Sequence, residues 1–386
     1  MTAFADRIAK LPPEKRALFY KELKERQGQE GVAVKPAASP SKPAAEPAVA
    51  SNRRRVLHGS GENFRAVVAK PGILDSIVLR SMPRRVPGPG QIEIQTKAIG
   101  VNFRDLMIAL GMYPTLPGDV PVMGSDCAGV VVSVGPGVDR FQVGDEVYAF
   151  GSPYDAYTVV HHGFAAKKPV GMSWEEAAAL PTVFITAYFA LSRLGRLSRG
   201  ERVLIHSAAG GVGLAAVQIA QHCGAEIYAT VGNEEKRAFL RGLGVTNLMD
   251  SRSLSWADDV MRLTGDGVDV VLNSLPGENI PKGLEVLRGL GRFVEIGKRD
   301  IYSNAKIGLF PFHKAISFHG IDLAYRPEVA ASVVELFELI DNGTFKPLPT
   351  RAFPIGELPA AFQFMSGGTH IGKIALTFGQ PVFVEA

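Results

Sequence analysis

The chain has 386 residues, 46% of them hydrophobic, which is enough for two or three domains at about 150 residues per domain. Its formal net charge is +4, but the first 55 residues carry twelve Lys and Arg against six Asp and Glu, while the remaining 331 carry 30 against 32. The body therefore offers no electrostatic footprint for nucleic acid, and no apolar run reaches the about 18–20 residues of a membrane span.

The start, MTAFADRIAK, has neither an apolar signal core nor a small-residue cleavage site. Two cysteines, Cys127 and Cys223, suit a reducing compartment, so a cytoplasmic protein is expected. Phe4, Ile8 and Leu11 are helix-spaced. Leu18, Phe19 and Leu23 mark a second short amphipathic helix that opens on Pro12 and Pro13. Residues 1–27 thus read as a helical leader, too small to bury a core alone. Residues 31–50 hold seven Ala and four Pro, so 28–55 reads as a flexible linker. Its basic end, Asn52–Arg55, reads as a solvated run or a contact for a partner or phosphate. A helical tag on such a tether is expected either to dock to another chain or to be a remnant of a larger polypeptide.

From Val56 the chain changes character. IEIQTKAIGVN, AGVVVSVG, DEVYAF and AYTVVH are short β-rich segments between Gly and Pro turns, which predicts a β-rich domain over 56–180. Helices enter at Ser173. From Arg202 strands and helices alternate: RVLIHSA, a helix from Gly211 to Cys223, EIYATV, a helix in NEEKRAFLRGLG, then NLMD, VDVVLNS, GRFVEIG and AISFHGI. This alternation predicts a doubly wound parallel sheet of about six strands, a Rossmann domain over 181–325. Residues 326–386 should supply a helix and a terminal strand that return to the β domain. The expected fold class is α/β: a Rossmann sheet plus a GroES-like β-rich substrate domain, behind a short helical leader.

The turn HSAAGGVGLAAVQIA carries an imperfect dinucleotide fingerprint, with Ala208, Gly210 and Gly213 in the three glycine places. Gly210 would let backbone approach a pyrophosphate, and Gly213 would let the helix pack on the strand. Ala209, Gly210, Gly211, Val212 and Gly213 would present the free N–H groups of a helix start to the phosphates. The second strand ends in ATVGN with no acid at its tip, where an NAD site places a carboxylate for the ribose 2′-OH. Lys236, and next Arg252, are the cations expected to meet a 2′-phosphate instead, which favours NADPH.

A β domain followed by a Rossmann domain resembles the medium-chain dehydrogenase/reductase superfamily, many of whose members hold zinc. Zinc needs three or four placed ligands. The β domain has one cysteine, Cys127, and the adjacent His161 and His162 would point to opposite faces of a strand. No metal site is expected.

GVNFRDLMIALGMYP, GSDCAGVVVSVGPGV, VFITAYFAL, VDVVLNSLPGE, GRFVEIGKRDI and FMSGGTHIGKIALTF closely resemble the enoyl reductase domains of modular polyketide synthases and animal fatty acid synthase. The resemblance covers roughly residues 62–379, and LPPEKRALFYKELKER more weakly resembles helical segments between synthase modules. It implies NADPH-dependent reduction of the C2=C3 bond of an α,β-unsaturated acyl thioester on an acyl carrier protein. Hydride goes to the β carbon, charge appears on the thioester oxygen, and a proton reaches the α carbon.

Within that resemblance Lys298 is the expected cation or proton donor, with Asp322 to orient it, and Asp300 is read as a turn residue. Tyr113 matches a position linked to α-methyl stereochemistry, either as an acid or as tunnel wall. Asn102 would lie near nicotinamide and thioester, and Thr186 would bind nicotinamide ribose or phosphate. Asn273 and Ser274 would meet the ribose, and Lys373 would lie on the cofactor side. Phe103 reads as core, and Arg104 and Asp105 as a simple pair. Two other readings stay open at this point: a freestanding NADPH quinone or enone reductase, and a non-catalytic, crystallin-like NADPH-binding protein.

Overall fold

The computed structural model describes residues 53–115, 118–323 and 326–386, with only the backbone of 326–328. The helical leader expected at 1–27 and nearly all of the linker expected at 28–55 lie outside the described residues. The basic run is not a linker end from Arg53 onward. Strand β1 (Arg53–Val56) pairs antiparallel with the C-terminal strand, and Arg53 and Arg54 meet the carboxylates of Glu385 and Glu62. Their basic charge is therefore met within the sheet.

The substrate domain is built from β2 (Asn63–Val68), β3 (Ile77–Met82), β4 (Gln91–Val101), helix α1 (Phe103–Ala109), β5 (Asp126–Val134), β6 (Glu146–Phe150), β7 (Tyr157–His161) and β8 (Ala165–Lys167). Helices α2 (Trp174–Ala178) and α3 (Pro181–Tyr188) lead out of it, with Ser173 and Glu176 closing a capping box at the start of α2. Strand β4 is the spine. Its apolar positions Ile92, Ile94, Ile99 and Val101 are wholly buried because it pairs with β5 on one side and β7 and the C-terminal return on the other.

The Rossmann domain follows in strict alternation: β9 (Arg202–Ile205), α4 (Gly211–Cys223), β10 (Glu226–Val231), α5 (Glu234–Gly242), β11 (Asn247–Asp250), α6 (Trp256–Thr264), β12 (Val268–Asn273), α7 (Asn279–Glu285), β13 (Leu287–Glu295), the short α8 (Arg299–Tyr302) and β14 (Ser317–Gly320). The sheet order is β11-β10-β9-β12-β13-β14, and every pairing in it is parallel. The order reverses beside β9, so the crevice at the carboxyl ends of β9 and β12 is where ligands of such sheets bind. Helix α4 turns its Leu214, Val217 and Ile219 onto the sheet and ends at Gly224, which takes the left-handed φ of 76°.

Helix α9 (Arg326–Asp341) closes this domain, and the chain returns through β15 (Thr350–Pro354), α10 (Leu358–Ser366), β16 (Lys373–Thr377) and β17 (Val382–Glu385). Strand β16 pairs with β4, and β17 lies between β1 and β3. The last residues of the chain thus complete the sheets begun by the first described ones. Among the described residues no helix is long and apolar enough to cross a membrane.

Candidate active site

The dinucleotide turn is built as its glycines require. A Cβ on Gly213 would sit 2.5 Å from the Ala208 Cα, so only glycine lets α4 rest against the end of β9. A Cβ on Gly211 would sit 2.8 Å from the Cδ of Lys373. Ser207 takes a left-handed φ of 55°, and its Oγ accepts the Ser274 hydroxyl at 3.3 Å. A strained non-glycine residue in such a turn is typical of a functional site. Residues 209–213 stand at the start of the thirteen-residue helix α4, so this turn can hold a pyrophosphate.

At the tip of β10 the chain passes Gly232 to Asn233, which caps α5 by accepting the Lys236 N–H at 2.9 Å. No carboxylate stands at that tip. Burial, followed by the charge of Arg252, lowers the Lys236 pKa against a smaller opposing pull from Glu235. The Lys236 Nζ donates to the Gly368 carbonyl at 2.7 Å, and a Cβ on Gly232 would lie 3.6 Å from Arg252 Nε. Lys236 and Arg252 thus come together at this corner, and two cations there can meet a phosphate.

The carboxyl ends of β12, β13 and β14 carry the second cluster. Lys298 Nζ donates to Asp322 Oδ2 at 2.6 Å and to the Ile321 carbonyl at 2.9 Å, so the structure pairs these two residues. The pair is reachable, with side chains 19% and 36% exposed. Asn273 is buried at the end of β12, where its amide donates to Glu295 Oε2 at 2.5 Å and to the Leu275 carbonyl at 2.8 Å. Asp300 is not a turn residue but part of α8, and its carboxylate accepts the Gly277 N–H at 3.3 Å.

The third cluster lies at the junction of the two domains. Lys373, 4% exposed at the start of β16, donates to the Val101 carbonyl and to Asn102 Oδ1, each at 2.7 Å. Asn102 Nδ2 donates to Asp126 Oδ2 at 2.8 Å, and Asp126 Oδ1 accepts both the N–H of Thr182 at 2.8 Å and its hydroxyl at 2.5 Å. Thr186, one turn further along α3, spends its hydroxyl on the Thr182 carbonyl at 2.6 Å. Burial pulls Lys373 below the usual lysine range and Asp126 above the usual carboxylate range, and their mutual attraction opposes both shifts. The preceding Gly372 donates its N–H to the Ala209 carbonyl at 2.9 Å, so β16 is tied to the dinucleotide turn itself.

Tyr113 belongs to the substrate domain, half-buried against its core, with the Arg104 guanidinium 5.1 Å above its ring. Three expectations about residues are corrected. Phe103 is 45% exposed, because it opens α1 on the side away from Leu106 and Ile108, which carry the buried face. Asp105 is more than the partner of Arg104: wholly buried, it accepts the N–H groups of Asn102 and Gly124 and the Tyr154 hydroxyl. His161 and His162 do not point to opposite faces, since β7 ends at His161 and the rings lie 4.9 Å apart across the start of a 3-10 turn. Among the described residues no group of three or more His, Cys, Asp or Glu is placed to hold a metal ion.

Two buried acids escaped the sequence reading, Asp126 and Glu295. Glu295 accepts from Asn273 and from the Gly297 N–H, and burial, with a further push from Asp300, raises its pKa to about 8. Each is a lone carboxylate at one end of an otherwise apolar strand, DCAGVVV and RFVE, and that was the available signal.

A GroES-like sheet domain completed by the C-terminal strands and joined to a Rossmann domain defines a medium-chain dehydrogenase/reductase. Family models agree: residues 88–185 match the alcohol dehydrogenase GroES-like domain and 211–338 the zinc-binding dehydrogenase domain. The crystal structure of CurK enoyl reductase superposes with a TM-score of 0.74 at 38% identity, over 82% of this chain and 99% of that one. A mycobacterial protein solved in complex with NADPH superposes with a TM-score of 0.71 at 25% identity, over 82% of this chain and 99% of its own. The mycocerosic acid synthase-like polyketide synthase of Mycolicibacterium smegmatis is 42% identical over 336 residues, 85% of this chain. That match spans 16% of the synthase's own length. The chain belongs to the enoyl reductases of polyketide synthases.

Proposed function

We propose that this chain uses NADPH to reduce the C2=C3 bond of an α,β-unsaturated acyl thioester carried on an acyl carrier protein. The observation that carries the reading is the Lys298–Asp322 pair at the carboxyl ends of β13 and β14, on the same sheet edge as the turn at 207–213. Residues 209–213 would hold the pyrophosphate, Lys236 and Arg252 the 2′-phosphate, and Asn273 and Ser274 the ribose. NADPH is supported by the two cations and the absent carboxylate at the tip of β10, and by the NADPH bound in the mycobacterial neighbour.

Bound there, the nicotinamide supplies a hydride for the β carbon. The protein's own task is to manage the charge that appears on the thioester oxygen and to deliver a proton to the α carbon. Lys298, charged and partly exposed, serves both needs: its ammonium can face an enolate oxygen, and Asp322 with the Ile321 carbonyl aims it. Tyr113 would line one face of the acyl group from the substrate domain. The protein would work in the cytoplasm within a synthase that makes polyketides or fatty acids. Residues 1–27 would dock to another synthase subunit, and the division at residues 27, 55, 180 and 325 marks leader, linker, substrate domain, Rossmann domain and C-terminal return.

The test is NADPH consumption with crotonyl-pantetheine, run beside NADH and a simple quinone. Turnover with NADPH and thioester, and little with quinone, is the expected result. Preference for quinone would assign the chain to the freestanding reductases.

A further inference from the structure

Three residues read as lying beside the cofactor, Asn102, Thr186 and Lys373, converge on one that no motif singled out. Asp126 is wholly buried at the start of β5. One of its oxygens takes both donors of Thr182, at the beginning of the helix that carries Thr186. The other takes the Asn102 amide and faces Lys373 Nζ at 3.8 Å. With Oδ1 of Asn102 held by Lys373 and Nδ2 held by Asp126, the amide has one possible orientation. The stem of Lys373 fills the space that a side chain at Gly211 would need, and Gly372 is bonded to the turn at Ala209.

We propose that Asp126 is a positioning residue: it keeps the buried Lys373 ammonium charged and the Asn102 amide oriented where the dinucleotide turn meets the substrate domain. The inference deepens the function proposed above and rests on it. A buried ion pair is a poor source of stability compared with well-packed apolar residues, so stability alone gives little reason for this one. Its geometric product is an ammonium and an amide held still between the two domains, the kind of preorganisation that electrostatic catalysis needs. The charged groups facing Lys373 are Asp126 on β5, Asp105 on α1 and His370 in the preceding loop. Two of the three are acids, and Asp126 outranks Asp105 in raising the lysine against the desolvation that lowers it.

Asp126→Asn removes the charge while conserving shape. It also sets an NH2 group against donors on one side, since Thr182 and Asn102 both donate to position 126. The uncompensated ammonium should then give up its proton at a lower pH. In the unliganded full chain, ε-carbon NMR should show Lys373, assigned by its loss in Lys373→Arg, titrating at least about one pH unit lower in the variant. In turnover of crotonyl-pantetheine with NADPH, the alkaline limb of kcat should move down by a similar amount. At pH 8 kcat should then fall about tenfold, with KM for NADPH within about threefold. Asp126→Asn should add nothing further to Lys373→Met, because the first acts through the second.

An unchanged Lys373 titration, or losses that multiply in the double variant, would overturn the proposal. Should Asp126→Asn not fold, Lys373→Arg carries the test: a guanidinium stays charged, so the alkaline limb must disappear, and its persistence would overturn the idea. A wild type that reduces quinone but not thioester would sink the proposed function, while the NMR titration would still decide the role of Asp126.

Discussion

The cleft is bounded by two lysine–aspartate pairs that differ in almost everything except composition. Lys298 and Asp322 touch at 2.6 Å with side chains 19% and 36% exposed. Lys373 and Asp126 stand 3.8 Å apart with side chains 4% and 0% exposed, bridged by Asn102. The first pair is wetted, so its Coulomb energy is screened and its lysine can leave the aspartate for a developing negative charge at little cost. The second is dry, and separating it would strand a buried charge. Identical side chains thus divide into a mobile donor on one wall and a fixed frame on the other, and burial alone makes the difference.

The comparison breaks first at the mobile donor. Lys298→Met should lower kcat on the thioester by at least about a hundredfold, the scale of losing one donor to a developing oxyanion. NADPH affinity, followed by fluorescence titration, should stay within about threefold. An equal loss in both would place Lys298 in cofactor binding rather than on the substrate side. At the adenosine corner, Lys236→Ala combined with Arg252→Ala should raise the NADPH Kd by about ten- to a hundredfold and leave NADH nearly unchanged. A parallel loss for both cofactors would remove the 2′-phosphate assignment. Asp322→Asn should cost about tenfold in kcat, less than loss of the lysine, because the Ile321 carbonyl still holds Lys298.

Glu295 sharpens the same lesson through pH. Its pKa is about 8 in the fold against 4.5 for the free side chain, so between those values the folded state holds a proton that the unfolded chain releases. Stability should therefore fall as pH rises from about 4.5 to about 8 and level off above that. Urea unfolding of Glu295→Gln should lack this part of the slope, a difference of a few kcal/mol at most between pH 5 and 8. An unaltered slope would mean that the carboxyl is ionised in the native protein. The smallest expected effect is at Tyr113. Tyr113→Phe should change kcat by only a few fold, read on 2-methylcrotonyl-pantetheine, while shifting the configuration of the α-methyl product. Unchanged configuration would leave the ring as tunnel wall.

Much of the fold could be read along the chain because its signals are local. The parallel sheet follows from apolar strands alternating with amphipathic helices, and the helix Gly211–Cys223 was bounded correctly because glycine lies at both of its ends. The strand at Arg53–Val56 was missed because its partner is β17, more than three hundred residues away, and three arginines in a row look solvated without it. His161 and His162 were misjudged because adjacent side chains oppose each other only while a strand continues, and β7 stops between them.

The sequence by itself determined the dinucleotide turn, the acid-free tip of the second Rossmann strand and the candidate Lys298 with its acid. Each is written within a few residues or carried by a motif at a strand end, where backbone direction already says where the side chain will be. Only the tertiary structure decided which charges are neighbours and which are dry. Asp126 meets Asn102 across 24 residues and Thr182 across 56, and Lys373 meets Asn102 across 271. Closure of the C-terminal strands onto the substrate domain made those meetings. The burial that came with it turned an unremarked aspartate into the centre of a buried network, because an ionisable group responds to its surroundings in space rather than to its neighbours in sequence.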